Sequence, residues 1–265
     1  MDWLARNAEF FSPEAISRSL TAFKDLYNFE DAAQRNAFIR AKHMSAAVLT
    51  VGNLTSLAAQ LTRSDTAKAR LAILLSIYEP LLINDLNLEK AVQPNERSIE
   101  TLIEIARLPD SFRNALTEVE ESDHRLQVPV YLKYAIRCLT SCIRSNQGLT
   151  RLVKSDHGIS QISEFIELTR DEEIQANCAK ILRISLRDEV HFEKVTAGRR
   201  DLANILLKNL GIFIYSDVVV MELLAALRNL SRSPPQIQFV KKENLSILVQ
   251  VAKAPANEKI QQVAI

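Results

Sequence analysis

The chain has 265 residues, 47% of them apolar, and a formal net charge of +1. That length and apolar content support a substantial core in one large domain or two small ones, and near-neutrality excludes the global field of a nucleic-acid or membrane-surface binder. Five Gly and eight Pro leave little material for hairpins or Gly-rich phosphate cradles, whereas Leu, Ile, Ala, Arg, Glu and Lys are helix formers.

The N-terminus, MDWLARNAEFF, opens with an acid and lacks the basic-then-apolar order of a signal peptide. Ser12-Pro13-Glu14 supplies an N-cap, a first-turn Pro and an acid near a helix start. The aromatics Phe10, Phe11, Phe23, Tyr27 and Phe29 follow at helical spacing, which predicts core or cap packing and offers an exposed subset for homodimerisation. The stretches IRAKHMSAAVLTVGNL (39–54) and VQPNERSIETLIEIARL (92–108) each place a polar turn before an amphipathic helix. An acidic insertion, 107–130, then interrupts the pattern and is closed by Pro129.

From residue 131 the spacing tightens. An apolar residue precedes each polar turn at Val153, Val195 and Val240, at intervals of 42 and 45, and Leu139, Leu182 and Leu227 align in the helix upstream, spaced 43 and 45. Ile39 and Val92 mark the looser first units. Each unit reads as a long helix, a short helix and a second long helix, with Pro234-Pro235 ending one helix and Gly158 and Gly198 marking turns. No such helix buries its apolar face alone, so stacked neighbours must supply the core. The expectation is an all-α chain, a right-handed α-solenoid of about five repeats over 1–265: 16–54, 66–108, 131–168, 174–210 and 217–253. The last residues, NEKIQQVAI, resemble DEEIQANCA at 171–179, so a further unit is expected to begin at 257 and the chain to continue past 265.

At ALRNLSRSPPQIQFVKKENLSILVQV and KYAIRCLTSCIRSNQGLTRLVKSDHGISQISEFIEL the chain resembles the armadillo repeat family, strongly from 131 onward and weakly over 16–130; HEAT repeats, with two helices per unit, are the alternative. The resemblance implies that third helices line a concave face along which extended peptides lie. It carries onto three columns here. Arg144, Arg187 and Arg232 stand five positions after the aligned leucines, Arg137 and Lys180 (then Ala225) two before, and Thr140, Arg183 and Arg228 one after. Ser141, Ile184 and Asn229 occupy the family's Asn position, and Asn229 is the expected holder of a bound main chain.

That basic column predicts capture of an acidic extended or helical segment through bidentate Arg–carboxylate bonds. The bland alternative is that Arg near a helix C-terminus complements the macrodipole and otherwise marks a solvated face. Import receptors of the family pair a Trp with the Asn; the sole Trp here is Trp3, and arginine would repel a basic signal, so members that take acidic partners are the closer resemblance. A second functional reading is a regulatory helical-repeat module engaging a GTPase or an autoinhibitory tail, as in formin-type armadillo domains. Nucleic acid is disfavoured, because these groove positions hold no aromatic to stack a base; Phe165, Phe192 and Phe239 read as core.

Nothing reads as catalytic. No G-x-S-x-G, P-loop or G-x-G-x-x-G motif is present. Ser-Asp-His recurs at 122–124 and 155–157, but adjacent residues cannot form a relay, so both read as polar turns with a capping Ser or Asp. Cys138 and Cys142 share a helix face without a full zinc set, and DEVHFEKV, with Glu189, His191 and Glu193, reads as a solvated short helix. Cys138, Cys142 and Cys178 read as reduced core thiols of an intracellular protein, cytoplasmic or nuclear. No metal, cofactor or membrane span is expected, since no run of about 18 uncharged apolar residues occurs.

Overall fold

The computed structural model describes residues 85–93, 96–107, 128–197, 199, 201–238 and 240–253, with isolated positions between 68 and 83. Every regular element among them is an α-helix: α1 (Asp85–Ala91), α2 (Ser98–Ile105), α3 (Val130–Cys142), α4 (Asn146–Lys154), α5 (Gly158–Leu168), α6 (Glu172–Arg187), α7 (Glu189–Ala197), α8 (Leu202–Ile212), α9 (Asp217–Leu230), α10 (Pro234–Gln238) and α11 (Lys242–Lys253). The 16–54 repeat, the N-terminal aromatics, Gly198, Phe239, nearly all of the 107–130 insertion and 257–265 lie outside the described residues. From α3 onward the helices run long, short, long in three successive triplets.

The chain divides into two compact units, residues 1–106 with 129–148, and residues 107–128 with 149–265. In the first, α1 and α2 pack against α3. Pro129, which has no N–H to leave unpaired, caps the start of α3, whose buried residues Leu132, Ala135, Ile136, Leu139 and Cys142 recur at helical spacing.

In the second unit α8 packs between α5 and α11, and α6 packs along α9, with α5 against α6 and α8 against α9. The start of α6 follows from its sequence: the Asp171 carboxylate accepts a bond from the Ile174 N–H at 3.2 Å, and Glu172 and Glu173 lie in the positive first turn. Its inner stripe, Ile174, Cys178, Ile181, Leu182 and Leu186, is buried. Pro234 takes the first position of α10, where its fixed φ suits helix entry.

At α5 the Ser-Asp-His turn departs from the expected capping. His157 holds the N-cap position without a side-chain cap bond, and Ser160 Oγ instead donates to the His157 carbonyl at 2.9 Å. α4 approaches closely at this point: a Cβ on Gly158 would lie 2.3 Å from the Leu152 carbonyl oxygen. The turn six residues long that ends there, VKSDHG, is a near-copy of IRSNQG at 143–148, and a Cβ on Gly148 would lie 2.1 Å from the Cys142 oxygen. Both glycines serve by having no side chain where a helix begins against the carbonyl end of the one before.

Cys138, Cys142 and Cys178 are free and fully buried. Burial pushes the Cys138 thiol well up, with a smaller push from Cys142, and burial alone pushes up Cys178. Cys138 Sγ lies 3.9 Å from the Leu75 carbonyl oxygen.

Gly158→Ala will lower unfolding stability by about 1–3 kcal/mol in urea titrations, because backbone must shift. Gly211→Ala, whose Cβ would meet only the flexible Ile247 side chain at 3.3 Å, will change stability by less than about 1 kcal/mol. The thiols set a pH dependence. An unfolded thiol loses its proton near pH 8.5 while the folded ones keep theirs, so the unfolded chain binds fewer protons above that value. The thiol contribution to stability will therefore be constant below about pH 8 and will fall above it; a serine at Cys178 will make that fall shallower.

Candidate partner-binding face

The geometry of the face is set by how α9 lies on α6. Asn229 Nδ2 donates to the Arg183 carbonyl at 2.9 Å, and Arg232 Nη2 donates to the Leu186 carbonyl; both bonds span 46 positions. A constant offset means that the two helices run parallel, each α9 residue beside the α6 residue 46 earlier. Arg183 Nε bonds back to Glu222 Oε2 at 2.6 Å. Arg232 also donates through Nε to the Asn229 carbonyl at 3.2 Å, and its guanidinium stands 4.8 Å from the centroid of the half-buried Phe192 ring.

Because α6 buries Cys178, Ile181, Leu182, Ser185 and Leu186, its outward stripe is Lys180, Arg183, Ile184 and Arg187. On α9 the burial of Val219, Val220, Leu223, Leu224 and Ala226 turns Arg228 and Asn229 to the other side. The expected binding residues thus fall into two groups. Lys180, Arg187 and Arg228 are exposed, and their side chains have no bonded partner among the described residues. Arg183, Asn229 and Arg232 are engaged within the fold. The Asn229 amide that was expected to hold a foreign main chain holds that of α6, and Phe192 is a platform for Arg232 rather than core.

In the first unit Arg144 donates to Asp85 at 2.9 Å and lies 3.5 Å from the Ile83 carbonyl. Arg137 lies over the Tyr134 ring at 5.2 Å, and Ser141 is half-buried. Arg144 and Arg232 of the aligned column therefore reach carbonyls of earlier segments, as cations do at helix ends.

Several polar residues were not singled out from sequence. Gln175 is fully buried, and its Nε2 donates to the Ile166 and Thr169 carbonyls at 2.8 Å each. Gln236 donates to the Arg199 carbonyl at 2.7 Å and that of Thr196 at 3.1 Å. The legible signal is a Gln on an apolar stripe: Gln175 shares its face with Cys178, Ala179 and Leu182. His191 is buried rather than solvated, with Nε2 3.2 Å from Thr150 Oγ1 and Nδ1 3.1 Å from Asp188 Oδ1. The order hydroxyl, imidazole, carboxylate looks like a relay. Its visible work is structural, since Asp188 caps α7 by accepting from the Val190 N–H at 2.9 Å and Lys194 Nζ donates to the Lys154 carbonyl at 2.9 Å. An open cleft of about 450 Å³ runs along α5 past His157, Ser160, Gln161 and Glu164 to the Glu167–Arg199 ion pair, mixing both signs of charge.

Among the described residues no three His, Cys, Asp or Glu are grouped so as to hold a metal, and no helix is long and apolar enough to cross a membrane. The chain matches no family model and no curated protein.

Two perturbations separate framework from free charge. Asn229→Ala will cost about 1 kcal/mol, independent of salt, because it removes the hydrogen bond that ties α9 to the Arg183 carbonyl of α6. The double-mutant cycle of Arg183→Ala and Glu222→Ala will give a coupling of about 0.2–1 kcal/mol that shrinks at high salt, as expected for a pair still reached by solvent.

Proposed function

We propose that this chain is a non-catalytic protein-interaction module of the armadillo-like, right-handed α-solenoid type, and that it captures an acidic segment along the face shared by α6 and α9. The observation that carries the reading is the exposed set Lys180, Arg187 and Arg228, without a bonded partner among the described residues, on two parallel neighbouring helices. Arg228 lies one residue from Asn229, which is tied to Arg183, so Arg228 stands at a level between Lys180 and Arg187. The three long-short-long triplets and the parallel stacking of α6 on α9 support the repeat architecture. Exposed cations of this kind select carboxylates and steer their approach more than they add raw affinity. Arg183, Asn229 and Arg232 act as the frame that holds the two helices in register, not as contacts to the partner.

A carboxylate-rich peptide, titrated by fluorescence anisotropy at several salt concentrations, tests this. The wild-type chain will bind it with an affinity that falls as salt rises. The variant Lys180→Glu/Arg187→Glu/Arg228→Glu, with unchanged helicity by circular dichroism, will bind at least about tenfold more weakly, since each exposed pair contributes up to about 1 kcal/mol. Equal binding by the variant would remove the basis of the reading.

A further inference from the structure

The face is not uniformly basic. Two of its three exposed cations, Arg187 and Arg228, lie in the last turns of α6 and α9, with Arg232 just beyond and Lys180 midway along α6. Its N-terminal end carries the exposed Glu172 and Asp217, each in the first turn of its helix. Because the helices run parallel, with α9 offset by 46 residues, like charges fall side by side: Asp217 is level with Asp171 and Glu172, and Arg232 with Leu186 and Arg187. In the middle, the Arg183–Glu222 bond neutralises one charge of each sign. Beside the acidic end the apolar Val218 is 67% exposed, and Met221 follows one turn later, half-buried.

We infer that the face takes a charge-polarised segment in one orientation only, a deepening that rests on the proposed binding reading. The partner's carboxylates lie over Arg187 and Arg228. Its cationic side chains lie over Glu172 and Asp217, and an apolar side chain between them rests on Val218. A segment acidic along its whole length would set its far end against Glu172 and Asp217, and a segment laid the other way would face like charge at both ends. The spacing follows from helix rise. Asp217 to Arg228 is about 16 Å and Glu172 to Arg187 about 22 Å at 1.5 Å per residue, which an extended chain covers in about five to seven residues. Both ends of the face owe their sign to the preference of acids for helix starts and bases for helix ends. A helical partner, polarised by the same preference, fits when it lies antiparallel to α6 and α9.

Three peptides test the inference on the full 265-residue chain: a block of three Glu and a block of three Lys separated by six residues with one Leu; the same residues with Glu and Lys alternating; and the Glu block alone. Anisotropy is read at moderate salt. The polarised peptide will bind about three- to tenfold more tightly than the alternating one. The neutralising variant Glu172→Gln/Asp217→Asn, which changes the helix starts less than charge reversal does, will remove that advantage and leave the Glu-only peptide bound as well as before or better. Val218→Ser will weaken the polarised peptide without affecting the Glu-only one. Equal binding of the polarised and alternating peptides, or no loss in the neutralised variant, overturns the polarity. If Arg187→Glu/Arg228→Glu leaves the Glu-only peptide bound as before, or if no peptide shows salt-sensitive binding, the underlying acidic-segment reading fails as well.

Discussion

The interaction on which the described structure most depends is the closing of helix C-termini by side chains from elsewhere in the chain. A helix leaves its last four carbonyls without intrahelical partners, and here the helices are short, from 5 to 16 residues. A large share of the backbone therefore ends in groups that burial would penalise. Gln175 closes the end of α5, Lys194 that of α4, Gln236 that of α7 and the turn after it, and Arg232 that of α6. In each case the donor lies outside the helix whose carbonyl it serves, on another helix or, for Arg232, in the turn after α9. The bond that satisfies one helix thereby sets the position of its neighbour.

This constraint explains why α6 and α9 are parallel and in register, and why charge on their shared face is divided between two roles. Apolar stripes bring two helices together but tolerate sliding, since Leu against Leu is much the same one turn along. The bonds from Asn229 to Arg183 and from Arg232 to Leu186 are directional and remove that freedom. Arginine suits the task because its planar guanidinium stacks on an aromatic ring, here Phe192, while its fork reaches a carbonyl. Cations not needed for closure remain on the surface, and Lys180, Arg187 and Arg228 are of that kind.

The short helices pose a related difficulty. With few apolar residues of their own, they are held by polar staples: in α7, His191 to Thr150 and Lys194 to the end of α4. Gly148 and Gly158 let successive helices begin against a carbonyl. These features sit in the turns, where a reading of apolar period has least to work with.

What the sequence determined by itself is the set of properties that depend on neighbours within about a turn of helix. The all-helical character, the buried stripe through Leu139, Leu182 and their flanks, and the burial of three cysteines were legible, because spacing of three and four residues encodes which side faces a core; Pro234-Pro235, read as ending a helix, instead opens α10. The aligned arginines were legible as a column too. Only the tertiary structure decided which of them are free, because that depends on a neighbour 46 residues away and on a register that apolar period leaves open. So Arg187 and Arg232, equivalent in sequence, differ in fact: one is exposed without a described partner, the other closes the helix beside it. The same reason separates Asn229 as a helix tie from Asn229 as a peptide clamp, and a buried His191 from a solvated one: a side chain's periodicity names the face it occupies, and only packing names what it meets there.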